Sequence, residues 1–262
     1  MFRPNRLLAR LRAGHACTGA WLFLGSPNVT ELLGGVGFDA LIIDHEHTPG
    51  GIETAVEQIR AVRCAGDSTV LARVGGNDRA AIKLLLDAGV EGLLLPDVRS
   101  VDEARQFVAA CRYPPAGNRG AHFTVSRAAH WGRDGERYLR DIDRELLLAA
   151  MVESATAVGC IDALGAVDGL DMLFLGPLDL SASVDRMARY DDPVVAALLR
   201  QAETGIPAAA CLLGGALVPG DSAGAAFERG YRFVTVGSDV GMLRSGALAS
   251  LAAAGHRPDN HG

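Results

Sequence analysis

Ala40-Leu41-Ile42-Ile43-Asp44-His45-Glu46-His47-Thr48-Pro49-Gly50-Gly51 is the stretch that decides the fold. An apolar run reads as a strand, four ionisable residues stand at its end, and Thr-Pro-Gly-Gly then breaks the chain. A strand built this way delivers acid, base or metal-ligand groups to the rim of a parallel sheet, which is where α/β enzymes keep their chemistry.

Working outward, the periodicity predicts further strands at 19–24, 70–74, 92–95, 147–153, 172–176, 208–213 and 233–237, with the opening one at 40–44. Helical patterns fall between them at 28–35, 52–63, 79–88, 101–111, 156–166, 193–203 and 241–254. Eight strands alternating with helices over this length point to an α/β fold of the (β/α)8 TIM barrel type, with a doubly wound open sheet as the weaker alternative. The expectation is one barrel domain over residues 1–262, with flexible ends at about 1–12 and 255–262. The connection from Tyr113 to Arg140 is the irregular one. It is expected to serve as a lid on the catalytic side or as an oligomer contact.

The 262 residues are 49% hydrophobic and 21% charged, a globular balance, and carry a net charge of −6. Arginines are scattered without aromatic interleaving, which argues against a nucleic-acid partner. Cys17, Cys64, Cys111, Cys160 and Cys211 never form a Cys-x-x-Cys pair. Zinc ribbons and disulfide frameworks are disfavoured, and a reducing cytoplasm fits. No apolar run approaches a membrane-spanning length.

In a barrel the strand ends form one cluster whatever their separation in sequence. They bring together Glu46 and His47, Arg73, Glu153 and Asp179. Glu153 and Asp179 offer hard oxygen ligands suited to a divalent ion that keeps open positions. Arg73 is a permanent cation for an oxyanion, and His47 is of the residue type that moves a proton. In Gly176-Pro177-Leu178-Asp179-Leu180-Ser181, Gly176 admits close approach of a ligand, and the amides that follow favour a carboxylate. The bland readings stand beside these. Asp179 caps a turn, Arg73 is a structural ion-pair partner, and Asp87 is solvated or ion-paired. His45, on the opposite strand face from Asp44 and Glu46, reads as a packed or interface histidine.

Five motifs in order now carry a resemblance. They are Asp44 to Pro49, Leu71-Ala72-Arg73-Val74 with Asn77-Asp78, Arg112 to Gly120, Val152-Glu153-Ser154, and Gly176 to Ser181. Together they resemble the HpcH/HpaI family of metal-dependent class II pyruvate aldolases, over roughly residues 17 to 250. The resemblance implies a phosphoenolpyruvate/pyruvate-type barrel that cleaves 4-hydroxy-2-oxo acids to pyruvate and an aldehyde. It also implies Glu153 and Asp179 as ligands of a divalent metal (Mg²⁺, Mn²⁺ or Co²⁺) that chelates pyruvate. Arg73 matches the arginine that stabilises the enolate, His47 the base acting through a metal-bound water, and Asp87 the acid that raises its basicity. Met151, Gly176, Pro177, Leu178 and Asp179 would contact substrate alongside Arg73. A homo-oligomer, trimer or hexamer, with the C-terminal helix exchanged between subunits is implied as well.

Lys83, the only lysine, lies within a helical pattern rather than on a strand end, which disfavours a Schiff-base mechanism. Three positions depart from the family pattern: His45 for glycine, Met151 for glutamine, and Leu178 for a small residue. The last two exchange a polar contact for an apolar one and narrow the pocket, which bears on specificity more than on enolate chemistry. Oxaloacetate decarboxylation and enolate-trapping cyclisation are the nearest alternatives. A non-catalytic 2-oxo-acid-binding protein is the alternative from another class. The helix 240–254 is expected to pack on its own barrel.

Overall fold

Short apolar runs alternating with helices give eight parallel strands: β1 (Cys17–Leu22), β2 (Ala40–Asp44), β3 (Thr69–Arg73), β4 (Gly92–Leu95), β5 (Leu147–Val152), β6 (Met172–Leu175), β7 (Leu212–Ala216) and β8 (Phe233–Ser238). The computed structural model describes residues 2–255. Each strand pairs with the next and β8 pairs with β1, so the sheet closes into a barrel and the open doubly wound alternative falls. The helices are α1 (Arg6–Arg12), α2 (Pro27–Gly34), α3 (Ile52–Ala65), α4 (Arg79–Ala88), α5 (Val101–Cys111), α6 (Gly135–Glu145), α7 (Ala155–Val158), α8 (Ile161–Gly165), α9 (Pro177–Ala182), α10 (Pro193–Ala208), α11 (Ala223–Glu228) and α12 (Asp239–Ala253).

The strands are buried on both faces, and period-two alternation divides them into two cores. Ala20, Leu41, Ile43, Val70, Ala72, Leu93, Leu148 and Leu173 face outward against the helices. Cys17, Trp21, Ala40, Ile42, Leu71, Leu94, Leu147, Ala149, Met151, Met172, Phe174 and Phe233 fill the barrel interior. Counting two more residues along this inward set from Ile42, Leu71, Met151, Phe174 and Phe233 reaches Asp44, Arg73, Glu153, Gly176 and Thr235. The same alternation that packs the interior therefore aims these five residues into its mouth.

At the opposite end the expectation of a flexible N-terminus is corrected. Residues 6–12 form α1, whose Leu7, Leu8 and Leu11 are buried in the interior core and plug the barrel's foot. Asn5 caps it by accepting from the Leu8 N–H, and its amide donates to the carbonyls of Glu91 and Glu145. A run of arginines between buried leucines reads as a solvated segment only if the leucines' common face is overlooked. The expected tail at 255–262 lies almost wholly outside the described residues.

Three further expectations change. The strand placed at 208–213 begins instead at Leu212, because α10 runs on to Ala208 and the chain turns through Ala210 at φ 57°. An alanine-rich apolar run is ambiguous between helix and strand, and alanine's helix preference decides it here. β7 then carries Gly214, where a Cβ would lie 2.5 Å from the Met172 sulfur and 3.2 Å from the Phe174 ring, so any side chain there would have to displace the packing of β6.

The segment after Tyr113 follows α5 and lies along the helical flank, not over the strand ends. The Asn118 N–H bonds the Ala109 carbonyl, and the Ala128 N–H bonds that of Asp87. A segment held there does not cover the strand ends of its own barrel.

α12 also departs from expectation. Past Asp239 none of its side chains is buried, and Leu243, Leu248 and Leu251 are exposed. Its apolar residues are spread around the helix instead of gathered on one face, so beyond Met242, which is partly buried against the core, it does not pack on its own barrel as a surface helix would. Asp239 is the anchor, accepting the Phe23 and Leu24 N–H groups at 2.9 Å each.

Candidate active site

Asp44 and Arg73 are register partners at the ends of β2 and β3, so their side chains leave the sheet on the same side. Arg73 Nε donates to Asp44 Oδ1 at 2.5 Å, and its Nη1 reaches Glu46 Oε2 at 2.8 Å. Both Asp44 and Arg73 are buried. Asp44 also accepts the backbone N–H of His47 at 2.8 Å, which ties the loop after β2 to the strand that launched it. The His47 ring stands out toward solvent, with Nε2 3.6 Å from Glu46 Oε2.

Glu153 follows β5 and is buried. Its Oε1 accepts the Asp97 N–H, while Oε2 has no partner among the described residues. Burial pushes its carboxyl up to about 7; the nearby charges of Asp179 and Glu46 add to this, and the Asp97 N–H and Arg73 oppose it. Gly176 is required beside it, because a Cβ there would lie 2.6 Å from Glu153 Oε2. Pro177 is buried at the start of α9, Leu178 is half exposed, and Asp179 stands in the first turn. Met151 is buried inside the barrel below Glu153.

Among the described residues no three His, Cys, Asp or Glu side chains form a ready metal cage. Magnesium-like ions, however, are ordinarily held by one or two carboxylates, with water and substrate oxygens completing the shell. A buried carboxylate oxygen without a partner, in a group of like charges that repel one another, is the donor set that such a cation neutralises. The residues fit a divalent ion.

The structure thus gathers Glu46, His47, Arg73, Glu153 and Asp179 at one rim, and it does not bring Asp87 there. Asp87 stands at the far end of α4, which runs back from the rim toward the barrel's foot, and it pairs with Arg119 Nη2 at 2.6 Å. Arg119 is itself buried against the rings of Tyr113 and Tyr138. Within one subunit Asp87 therefore does not polarise His47. His45 turns away from the rim and lines a cavity of about 620 Å³ with Ile52, Gly75, Asn77 and Leu84. Burial lowers its pKa, with Asp44 opposing.

Sequence reasoning passed over Asp97, Trp21 and Thr235. Asp97 lies just past the end of β4 at φ 46°, an uncommon left-handed conformation that directs its N–H at Glu153. The strand-end rule applied to β4 would have found it. Trp21 was reachable by alternation within β1.

A model of the family described as HpcH/HpaI aldolase/citrate lyase matches residues 18–246. The 4-hydroxy-2-oxo-heptane-1,7-dioate aldolase of Shigella sonnei is 38% identical over 248 residues, covering 95% of this chain and 94% of that one. A HpcH/HpaI aldolase/citrate lyase family protein from Burkholderia cenocepacia superposes with a TM-score of 0.90 at 32% identity, covering 95% of this chain and 99% of that one. The HpcH/HpaI aldolase of Desulfitobacterium hafniense gives 0.85 at 26% identity, with 97% and 98% covered. Barrel and sequence agree, and the chain belongs to the HpcH/HpaI aldolase/citrate lyase family.

Proposed function

We propose that this protein is a carbon–carbon lyase that cleaves or forms a 4-hydroxy-2-oxo acid, with pyruvate and an aldehyde as the other side of the equilibrium. The observation that carries the reading is the buried, unpartnered Glu153 oxygen on the same rim as the Arg73 cation. Similarity to an aldolase over 95% of the chain supports it. A divalent cation held by Glu153 and Asp179, Mg²⁺, Mn²⁺ or Co²⁺, would supply Lewis-acid stabilisation of negative charge on the substrate.

The chain's own groups do the rest. Arg73 Nε and Nη1 are engaged by Asp44 and Glu46, and the remaining N–H bonds face the developing oxyanion. His47, exposed and held by its backbone to Asp44, moves the proton. Gly176, Pro177 and the open first turn of α9 receive the substrate carboxylate, while Met151 and Leu178 present apolar surface. Oxaloacetate decarboxylation passes through the same enolate. It is the second reading, favoured by those two apolar side chains. The five cysteines are all free thiols, which fits a cytoplasmic setting.

Exchange of pyruvate methyl protons for deuterium, followed by NMR, tests the reading. Exchange is expected with added divalent metal, loss with chelator, and a fall of about 100- to 1,000-fold in Arg73→Ala, the effect of removing one oxyanion donor. Metal-independent exchange, or an Arg73→Ala rate near wild type, would sink it.

We also propose a homo-oligomer, trimer or hexamer, in which α12 crosses to a second copy. The uncovered Leu243, Leu248 and Leu251, together with the exposed Leu32, Val36 and Val236 on the barrel, support it. Asp87 would act on a His47 only across such a contact. A monomeric mass by sedimentation equilibrium at micromolar concentration would refute this arrangement.

A further inference from the structure

Trp21 enters the barrel from an inward position of β1, and its indole is fixed from several directions. Nε1 donates to Thr235 Oγ1 at 3.1 Å. Phe174 meets the ring edge-on at 5.9 Å and 88°, and Phe23 stacks on it at 5.7 Å and 12°. The Arg73 Cζ lies over the ring, 4.7 Å from its centroid. A guanidinium carries five N–H bonds. Asp44 and Glu46 engage Nε and Nη1, the ring contact uses no N–H, and Nη2 has no protein partner among the described residues.

Two carboxylates along one edge hold that edge but leave the guanidinium plane free to tilt about it. An immobile ring whose centroid lies 4.7 Å from the guanidinium carbon opposes the tilt, and Thr235 fixes the ring. We infer that Trp21, anchored by Thr235, is a positioning residue that sets the plane of Arg73 so that Nη2 meets the substrate oxygen as charge develops on it. The inference rests on the aldolase reading for the identity of that oxygen. The positioning itself is a matter of Trp21, Thr235 and Arg73 alone. A packing role is the competing account, since Trp21 also fills the barrel interior.

The two accounts separate in a double-mutant cycle. Pyruvate exchange and calorimetric binding of oxalate, a planar anion shaped like the enolate, are measured with Mn²⁺ present in wild type, Trp21→Leu, Trp21→Phe and Thr235→Val. Each substitution is repeated in an Arg73→Ala background. Trp21→Leu is expected to lower kcat for exchange about 30-fold, the size of a desolvated cation–π contact, with little change in the KM for pyruvate. Oxalate should weaken in parallel.

Trp21→Phe keeps an aromatic face and should recover most of the loss. In the Arg73→Ala background the same changes should cost less than about threefold, because no guanidinium remains to be placed. Equal losses in both backgrounds, or a Trp21→Leu variant with wild-type kcat and oxalate affinity, overturn the inference in favour of packing. Where Trp21→Leu does not fold, Thr235→Val decides in the same way. Oxalate binding that follows this pattern without pyruvate exchange would retire the aldolase reading and leave the positioning intact, whereas an oxalate affinity insensitive to Trp21 and Arg73 would retire the positioning.

Discussion

Glu153→Gln is expected to lower metal-dependent pyruvate exchange by at least about 1,000-fold while leaving the fold intact. The expected loss follows from the several kcal/mol of charge stabilisation that a bound cation supplies, at 1.36 kcal/mol per tenfold in rate. The fold should hold because the amide has the carboxylate's shape and keeps Oε1 as acceptor for the Asp97 N–H. The substitution removes only the negative charge at the oxygen that has no partner. Binding of Mn²⁺, followed by calorimetry, should fall with the exchange rate, and circular dichroism should not change. If the glutamine variant binds Mn²⁺ as tightly as wild type and exchanges within tenfold of it, Glu153 is not a ligand and the rim must be reassigned.

Much of the rim was legible in sequence. Asp44, Glu46, Arg73 and Glu153 could be placed on one rim because strand ends in a parallel barrel converge, and each follows an apolar run too short to be a helix. β2, β4, α4 and α5 fall at the residues expected from periodicity. Where the pattern was local but weak, it failed: α1 is only seven residues long, and its leucines gain their meaning from the barrel floor they plug. β7 was misplaced because propensity carried α10 through the alanines.

Asp87 is the residue that the strand-end rule does not reach. A motif places it in sequence, but only the direction of α4 shows that it lies at the end opposite His47 and answers to Arg119. Trp21 escaped notice because nothing in a tryptophan inside an apolar strand announces an arginine two strands away. That contact exists only once β1, β2 and β3 lie side by side with their inward faces on one side of the sheet.

Asp44→Ala is expected to produce the largest stability loss of any single change at the rim. Arg73 stays buried and charged, and removing its 2.5 Å partner leaves Glu46 as its one ion-pair partner among the described residues. Breaking a buried ion pair from one side costs about 3–5 kcal/mol, which for a domain of this size lowers the melting temperature by roughly 10 °C. Activity should fall further than the Arg73 contact alone would require. Asp44 also accepts the His47 N–H, so the proton-transfer group and the oxyanion-stabilising group are released together.

Asp44→Asn separates the two effects. Its carbonyl oxygen still receives the His47 N–H, but the guanidinium loses its buried negative charge. The asparagine variant should therefore melt between wild type and Asp44→Ala, yet remain impaired in pyruvate exchange by more than tenfold. Thermal unfolding of both variants alongside the exchange assay checks this. A melting temperature for Asp44→Ala within 2 °C of wild type would mean that Arg73 finds another counter-ion, and the rigid Asp44–Arg73–Glu46 arrangement would not be what holds the site ready.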